Sequence, residues 1–162
     1  MLVGITGDTH NNLRNISQIC KIFNESNVSL VFHTGDITLP KSLEAFSELN
    51  TPIIGVFGNN DQLEKKSLLE VSEKFNFSFF DEPLFLKINK KKIFILHHPE
   101  LITKKMSLKA DFIIHGHTHR FRSETLNNAL VFNPGECAGF LKGKNKVGLI
   151  DLKKNITKII SF

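Results

Sequence analysis

Apolar residues fall in short runs along this chain, and the spacing of those runs alternates between two periods. Leu2 to Thr6 is nearly continuous, whereas Leu13, Ile16, Ile19, Cys20 and Phe23 recur three or four positions apart. The first pattern predicts a buried strand and the second an amphipathic helix, since side chains return to the same face every two residues in a strand and about every 3.6 in a helix. The alternation continues with a strand over Ser29 to Phe32, a short proline-opened helix over Pro40 to Leu49, a strand over Pro52 to Phe57 and a helix marked by Leu68, Val71 and Phe75. Strands alternating with helices predict a parallel sheet with right-handed crossovers.

From Leu84 the pattern changes. "LFLKINKKKIFIL" holds two strand-like runs joined by a polar turn near Asn89 to Lys91, which predicts a hairpin. Asp111 to His115 is another short apolar strand, "ETLNNALVF" pivots at Asn127-Asn128, and "VGLIDLKKNITKIISF" pivots at Lys154-Asn155. No repeat, linker or low-complexity tract interrupts residues 1–162. The expectation is one α/β domain with two packed sheets flanked by helices.

Composition narrows the class. At 162 residues, with 41% hydrophobic and 23% charged content, the chain can bury roughly two thirds of its unfolded surface. Its apolar runs fall far short of the roughly 20 residues a membrane span needs, and Met1 leads straight into a strand with no basic leader. A soluble, untargeted, cytoplasmic protein with no membrane partner is expected. Cys20 and Cys137 offer neither a disulfide framework nor zinc-thiolate spacing. Lys plus Arg exceed Asp plus Glu by 21 to 16, a balance that favours anionic partners, although a compositional bias toward Lys and Asn explains it equally well. There is no Trp or Tyr, so stacking on single-stranded nucleic acid would fall to Phe or Arg. Nucleic acid is an open partner class without being indicated.

Polar residues concentrate where the strands end. "GIT" runs into Gly7-Asp8-Thr9-His10, "LVFHT" into Gly35-Asp36, and "IIGVF" into Gly58-Asn59-Asn60-Asp61. "KIFIL" is followed shortly by His97-His98, and "DFII" by His115-Gly116-His117-Thr118-His119. In α/β sheets, sites lie beyond the carboxyl ends of the strands, so these groups should converge, with each glycine taking a tight turn that brings the next side chain to the crevice. The donors are carboxylates, an amide and imidazoles, with no thiolate, a set suited to Mn²⁺, Fe²⁺, Zn²⁺ or Ni²⁺. They exceed what one ion requires. Two ions about 3.5–4 Å apart, holding a hydroxide between them, would suit in-line displacement at phosphorus.

The series Asp-x-His, Gly-Asp, Gly-Asn, His and Gly-His-x-His resembles the calcineurin-like metallophosphoesterases, and "GDTH", "GNND", "GHTH" and "NPGE" look most like their small single-domain phosphodiesterase branch. The resemblance spans Asp8 to Gly135 and implies a four-layer α/β/β/α sandwich. It puts Asp8, His10 and His119 on one metal and Asn59, His97 and His117 on the other, with Asp36 bridging. It implies two divalent transition-metal ions, Mn²⁺ foremost with Ni²⁺, Fe²⁺, Zn²⁺ or Co²⁺ as alternatives, and a homodimer.

Other readings compete residue by residue. Asp8 or Asp36 taken singly would suit a helix cap. His33 reads as a satisfied core histidine or a partner that orients a ligand, with Asp61 and Thr118 as further supporting candidates. His115 and Cys137 read as core packing, Lys90 to Lys92 as a solvated hairpin tip, and Phe75, Phe77, Phe79 and Phe80 as core or interface. Two departures from the family stand out. Many relatives carry a histidine directly after the "GN", where this chain has Asn60, an amide that can hydrogen-bond but cannot act as an acid. His97 is followed by His98 where a glycine is usual, so His98 either replaces that acid or points away. The expected function is a dinuclear-metal phosphodiesterase, in which His117 helps offset charge on the phosphoryl oxygens. Its rivals are a protein-binding scaffold like the retromer subunit of this fold, and a phosphomonoesterase or nuclease.

Overall fold

The computed structural model describes residues 1–162 and places them in two mixed β-sheets laid face to face, with helices outside both. The first half supplies β1 (Leu2–Thr6), α1 (Leu13–Glu25), β2 (Leu30–His33), α2 (Pro40–Glu44), β3 (Ile53–Val56), α3 (Lys65–Phe75) and β4 (Phe77–Phe80). Then come β5 (Leu84–Ile88), β6 (Lys91–Ile95), α4 (Lys104–Lys109), β7 (Phe112–Ile114), β8 (Arg122–Leu126), β9 (Ala129–Asn133), β10 (Lys146–Asp151) and β11 (Ile156–Ser161). The six-stranded sheet runs β11-β10-β1-β2-β3-β4 and the five-stranded sheet β5-β6-β7-β9-β8. β1 to β4 pair in parallel, as the alternating pattern predicts, while the final hairpin closes back antiparallel on β1.

Three apolar clusters separate four layers, giving the α/β/β/α sandwich. Ile16, Ile19 and Phe23 of α1, Leu43 of α2 and Leu68 and Val71 of α3 bury against the outer face of the six-stranded sheet. Between the sheets lie Val3, Ile5 and Phe32 from one side and Ile93, Ile95, Phe112 and Phe132 from the other. Met106 and Ala110, from and just after α4, cover Ile113 and Val131 on the far side. Burying such a side chain contributes about 1.5–3 kcal/mol, so the repeat of apolar positions in each strand fixes which face turns inward.

Several boundaries move. The proline-opened helix over Pro40 to Leu49 is α2 followed by a 3₁₀ turn over Ala45–Glu48, which tucks Phe46 into the core. Phe77–Phe80, read only as an apolar cluster, is a strand whose Phe77 and Phe79 are buried while Ser78 and Phe80 face out. α4 carries too few apolar residues in six positions to show a helical period. No helix is long and apolar enough to cross a membrane.

Candidate metal centre

The loops after β1, β2, β3, β6 and β7 meet at one end of the sandwich, and all seven histidines gather in or directly behind that meeting. Of the glycines in these loops, Gly35 takes the turn itself, at φ 97°. Asp8 (φ 50°), His10 (45°), Asp36 (57°), His117 (67°) and His119 (53°) themselves occupy the left-handed region, which costs non-glycine residues energy and recurs at functional sites. Gly58 and Gly116 instead make room: a Cβ on Gly116 would meet Asp8 Oδ2 at 2.6 Å, and one on Gly58 would meet Asp36 Oδ1 at 2.2 Å.

One group of donors centres on His97. Its Nδ1–H donates to the Thr34 carbonyl at 2.8 Å, which leaves Nε2 with a lone pair. That Nε2 lies 3.0 Å from Asn59 Oδ1, 3.2 Å from His117 Nδ1 and 3.5 Å from Asp36 Oδ2. Burial holds the His97 imidazole neutral by lowering its pKa. The Asn59 and Asp36 oxygens are acceptors as well, so the His97 lone pair faces two further acceptors.

The other group centres on His119, whose Nδ1–H donates to Glu136 Oε2 at 2.6 Å and leaves Nε2 toward the crevice. This Nε2 lies 3.4 Å from His10 Nε2 and 3.7 Å from Asp8 Oδ1. Asp36 Oδ2 stands between the groups, 3.9 Å from His10 Nε2 and 3.5 Å from His97 Nε2. Burial first, and the Asp36 charge second, push the Asp8 carboxyl well above the usual carboxylate range. No lysine or arginine pairs with Asp8 or Asp36; their charged neighbours within ion-pair reach are histidines.

The donor set fits divalent ions on these grounds. Buried carboxylates without a lysine or arginine partner, and the His97 Nε2 lone pair aimed at Asn59 Oδ1 at 3.0 Å and Asp36 Oδ2 at 3.5 Å, are unfavourable unless a cation lies among them. Asp8, His10 and His119 could hold one ion and Asn59, His97 and His117 the other, with Asp36 reaching both.

Supporting residues sort themselves out by their partners. The buried Asp61 carboxylate accepts from the backbone N–H of Gly58 (2.7 Å), Asp36 (2.8 Å), Ile37 (2.8 Å) and Thr38 (2.7 Å), so it ties the turn after β3 to the loop that carries Asp36. Gly35 N–H donates to His33 Nδ1 at 3.2 Å, and His33 Nε2–H donates to Thr9 Oγ1 at 3.1 Å. Burial lowers the His33 pKa to about 3, so it links two site loops as a neutral ring rather than orienting a ligand directly. His115 is likewise buried, its pKa lowered to about 4, and donates to the Gly116 carbonyl. Thr118 accepts from Arg120 N–H and Asn133 Nδ2 and bonds to none of the candidate ligands. Cys137 is buried against the Gly7 carbonyl, and its thiol is pushed up to about 12.

Asn60 turns its side chain back to the centre, donating from Nδ2 to Asp36 Oδ2 at 2.7 Å and from its backbone N–H to Asp36 Oδ1 at 2.9 Å. These two bonds fix the rotation of the central carboxylate. His98 does not point away: a nitrogen of its ring lies within 4.8 Å of nitrogens on His97 and His117. Its Nδ1 pairs with Glu82 Oε1 at 2.5 Å, and Glu82 Oε2 also accepts the backbone N–H of His97 and His98. Glu82 and Glu136 escape sequence reasoning. Glu136 follows the family-like "NPG", but no spacing marks Glu82.

The sequence profile of the Calcineurin-like phosphoesterase superfamily domain matches residues 1–155. A phosphodiesterase of Methanocaldococcus jannaschii is 36% identical over 160 residues, covering 95% of each chain. The solved structure of an archaeal phosphodiesterase superposes with a TM-score of 0.90 at 36% identity, over 100% of both chains. A phosphoesterase from E. coli shares the fold, with a TM-score of 0.76 at 20% identity over 99% of each.

Proposed function

The chain belongs to the calcineurin-like phosphoesterase superfamily, as a metal-dependent phosphoric ester hydrolase, and from that premise we propose that it cleaves phosphodiesters at a dinuclear centre formed by Asp8, His10, Asp36, Asn59, His97, His117 and His119. One observation carries the reading. His97 Nε2, its tautomer set by the Thr34 carbonyl, faces an amide oxygen, an imidazole nitrogen and a carboxylate oxygen within 3.5 Å.

When bound, two divalent ions supply Lewis acidity toward phosphoryl oxygens and a water-derived nucleophile at neutral pH. The protein's own groups do the rest. The Thr34 carbonyl and the Glu136 carboxylate hold two rings so that Nε2 faces the crevice. Asn60 fixes the rotation of the Asp36 carboxylate. In this reading the half-buried His98, paired with Glu82 and close to His97 and His117, gives a proton to the leaving oxygen. The diester preference rests on the phosphodiesterase at 36% identity and on Asn60 in place of the usual acid. Complete filling of the donor positions favours an enzyme over a scaffold. Mn²⁺ leads the candidate ions, with Ni²⁺, Fe²⁺, Zn²⁺ and Co²⁺ suited to the same oxygen and nitrogen donors.

Elemental analysis and turnover of bis-p-nitrophenyl phosphate test this together. Two ions per chain are expected, with activity lost on chelation and restored by Mn²⁺. Full activity in excess chelator, with no metal retained, would sink the mechanism.

A further inference from the structure

Beside the His10 and His119 rings stands Phe140, whose side chain is large, apolar and 68% exposed. It belongs to the segment after β9, yet the backbone there is well tied. Asn12 Nδ2 donates to the Ala138 carbonyl at 2.7 Å, Asn15 Nδ2 to the Cys137 carbonyl at 2.8 Å, and Phe140 N–H to Glu136 Oε1 at 2.9 Å. The last bond comes from the carboxylate that also holds His119. One buried group therefore sets the position of a candidate ligand and of an exposed aromatic ring.

The Phe140 ring packs on His119 with centroids 5.5 Å apart and planes 20° apart, and on His10 at 5.1 Å and 44°. It lines an open groove of about 690 Å³ with His10, Asn11, Asn12, Leu13 and Ala138. Asn11 gives its carbonyl oxygen to the Thr38 and Ser42 hydroxyls, and its amide N–H₂ has no partner within the chain. The groove thus pairs a flat apolar face with a free hydrogen-bond donor, next to a phosphoester centre.

We propose that Phe140 is the stacking platform for a nucleobase of the substrate, so that the substrate class is a nucleoside-containing phosphodiester. The proposal rests on the phosphodiesterase reading above. A base laid on Phe140 would place its phosphate within reach of the His10 and His119 side of the centre, with Asn11 available to a ring carbonyl. Base and aromatic face attract without regard to sequence, whereas a methyl or other small ester group gains nothing from the ring.

Because the chain has no Trp or Tyr, Phe140→Trp makes a protein with one indole, placed at the proposed contact. Titration with thymidine 5′-monophosphate should quench its emission, and inorganic phosphate should not, in both Mn²⁺-loaded and chelated protein. Phe140→Leu and Phe140→Ala should raise KM for thymidine 5′-p-nitrophenyl phosphate about tenfold, the order lost with one base–aromatic stack. Their kcat, and both constants for methyl p-nitrophenyl phosphate, should stay within about twofold. Equal losses of kcat on the two esters would mean that Phe140 only props the His10 and His119 rings, and would overturn the proposal. So would an indole that answers nucleotide and phosphate alike, or neither. If the wild type hydrolyses neither ester, the phosphodiesterase reading fails by itself, and the indole titration still decides the stacking.

Discussion

Asp36 stands between the two groups of donors, and both its oxygens also accept hydrogen bonds from Asn60. Asp36→Asn removes the shared charge and brings an amide N–H₂ against the donors of Asn60, whereas His10→Ala removes one ligand from one group. The asparagine variant should therefore lose metal from both positions and turnover by roughly 10³-fold, and the alanine variant less, by roughly 10- to 100-fold. Metal content and rate measured on both would show a misassigned bridge if the Asp36 variant kept full occupancy. His98 carries a separate expectation. An acid matters in proportion to the leaving group's need for a proton, so His98→Gly should slow an alkyl or nucleoside diester about 10²-fold and a nitrophenyl ester hardly at all. Equal slowing of both would assign His98 to metal geometry, and no slowing of either would leave water as the proton source.

The turn after β3 and the loop after β2 depend on each other, because four backbone N–H groups from the two converge on Asp61. Asp61→Ala leaves those donors buried without a partner, which should cost about 3 kcal/mol in urea unfolding of the metal-free protein and weaken metal binding as well. A loss under about 1 kcal/mol would show that water replaces the carboxylate. That role was legible only in outline, since "GNND" marks a ligand-bearing turn but not which of its residues faces backward. The strands were legible for a plain reason: buried apolar runs in β1, β2 and β3 end abruptly in polar residues, and each end becomes a site loop. The left-handed backbone at Asp8, Asp36 and His117 was not, because its cost is met by tertiary hydrogen bonds such as His117 N–H to Asp8. Nor were Glu82 and Glu136, whose histidine partners lie 15 to 17 residues away along the chain. β4 was hidden because its four residues follow directly on α3, where Phe75 still fits the helical period.

Across the molecule, the arrangement that suits metal binding works against the stability of the protein without metal. Two opposing linkages follow from its buried groups. His33 and His115, with pKa values lowered to about 3 and about 4 by burial, are neutral in the fold and take up protons near 6.5 when unfolded. Their contribution is fully present above pH 6.5 and is lost as pH falls from there toward 3 to 4, because the unfolded chain then binds more protons. Asp8 has the opposite sign. Its carboxyl is raised well above the usual range by burial and by Asp36, so the folded protein without metal retains a proton that the unfolded chain gives up, and stability declines as pH rises from about 4 through the folded value. The metal-free protein should accordingly show a stability maximum with losses on both sides, and metal uptake should release protons as Asp8 ionises. Asp8→Asn removes the second loss while keeping an oxygen for the His117 N–H. In chelator at pH 8 it should unfold at higher urea than the wild type, by about 1–2 kcal/mol, while binding little metal, as expected where function opposes stability. An Asp8→Asn variant that is no more stable than wild type at pH 8 would mean that the carboxylate is solvated well enough to ionise without penalty. The pH dependence of metal uptake would then have to come from His10 and His97, whose imidazoles burial holds below their ordinary range.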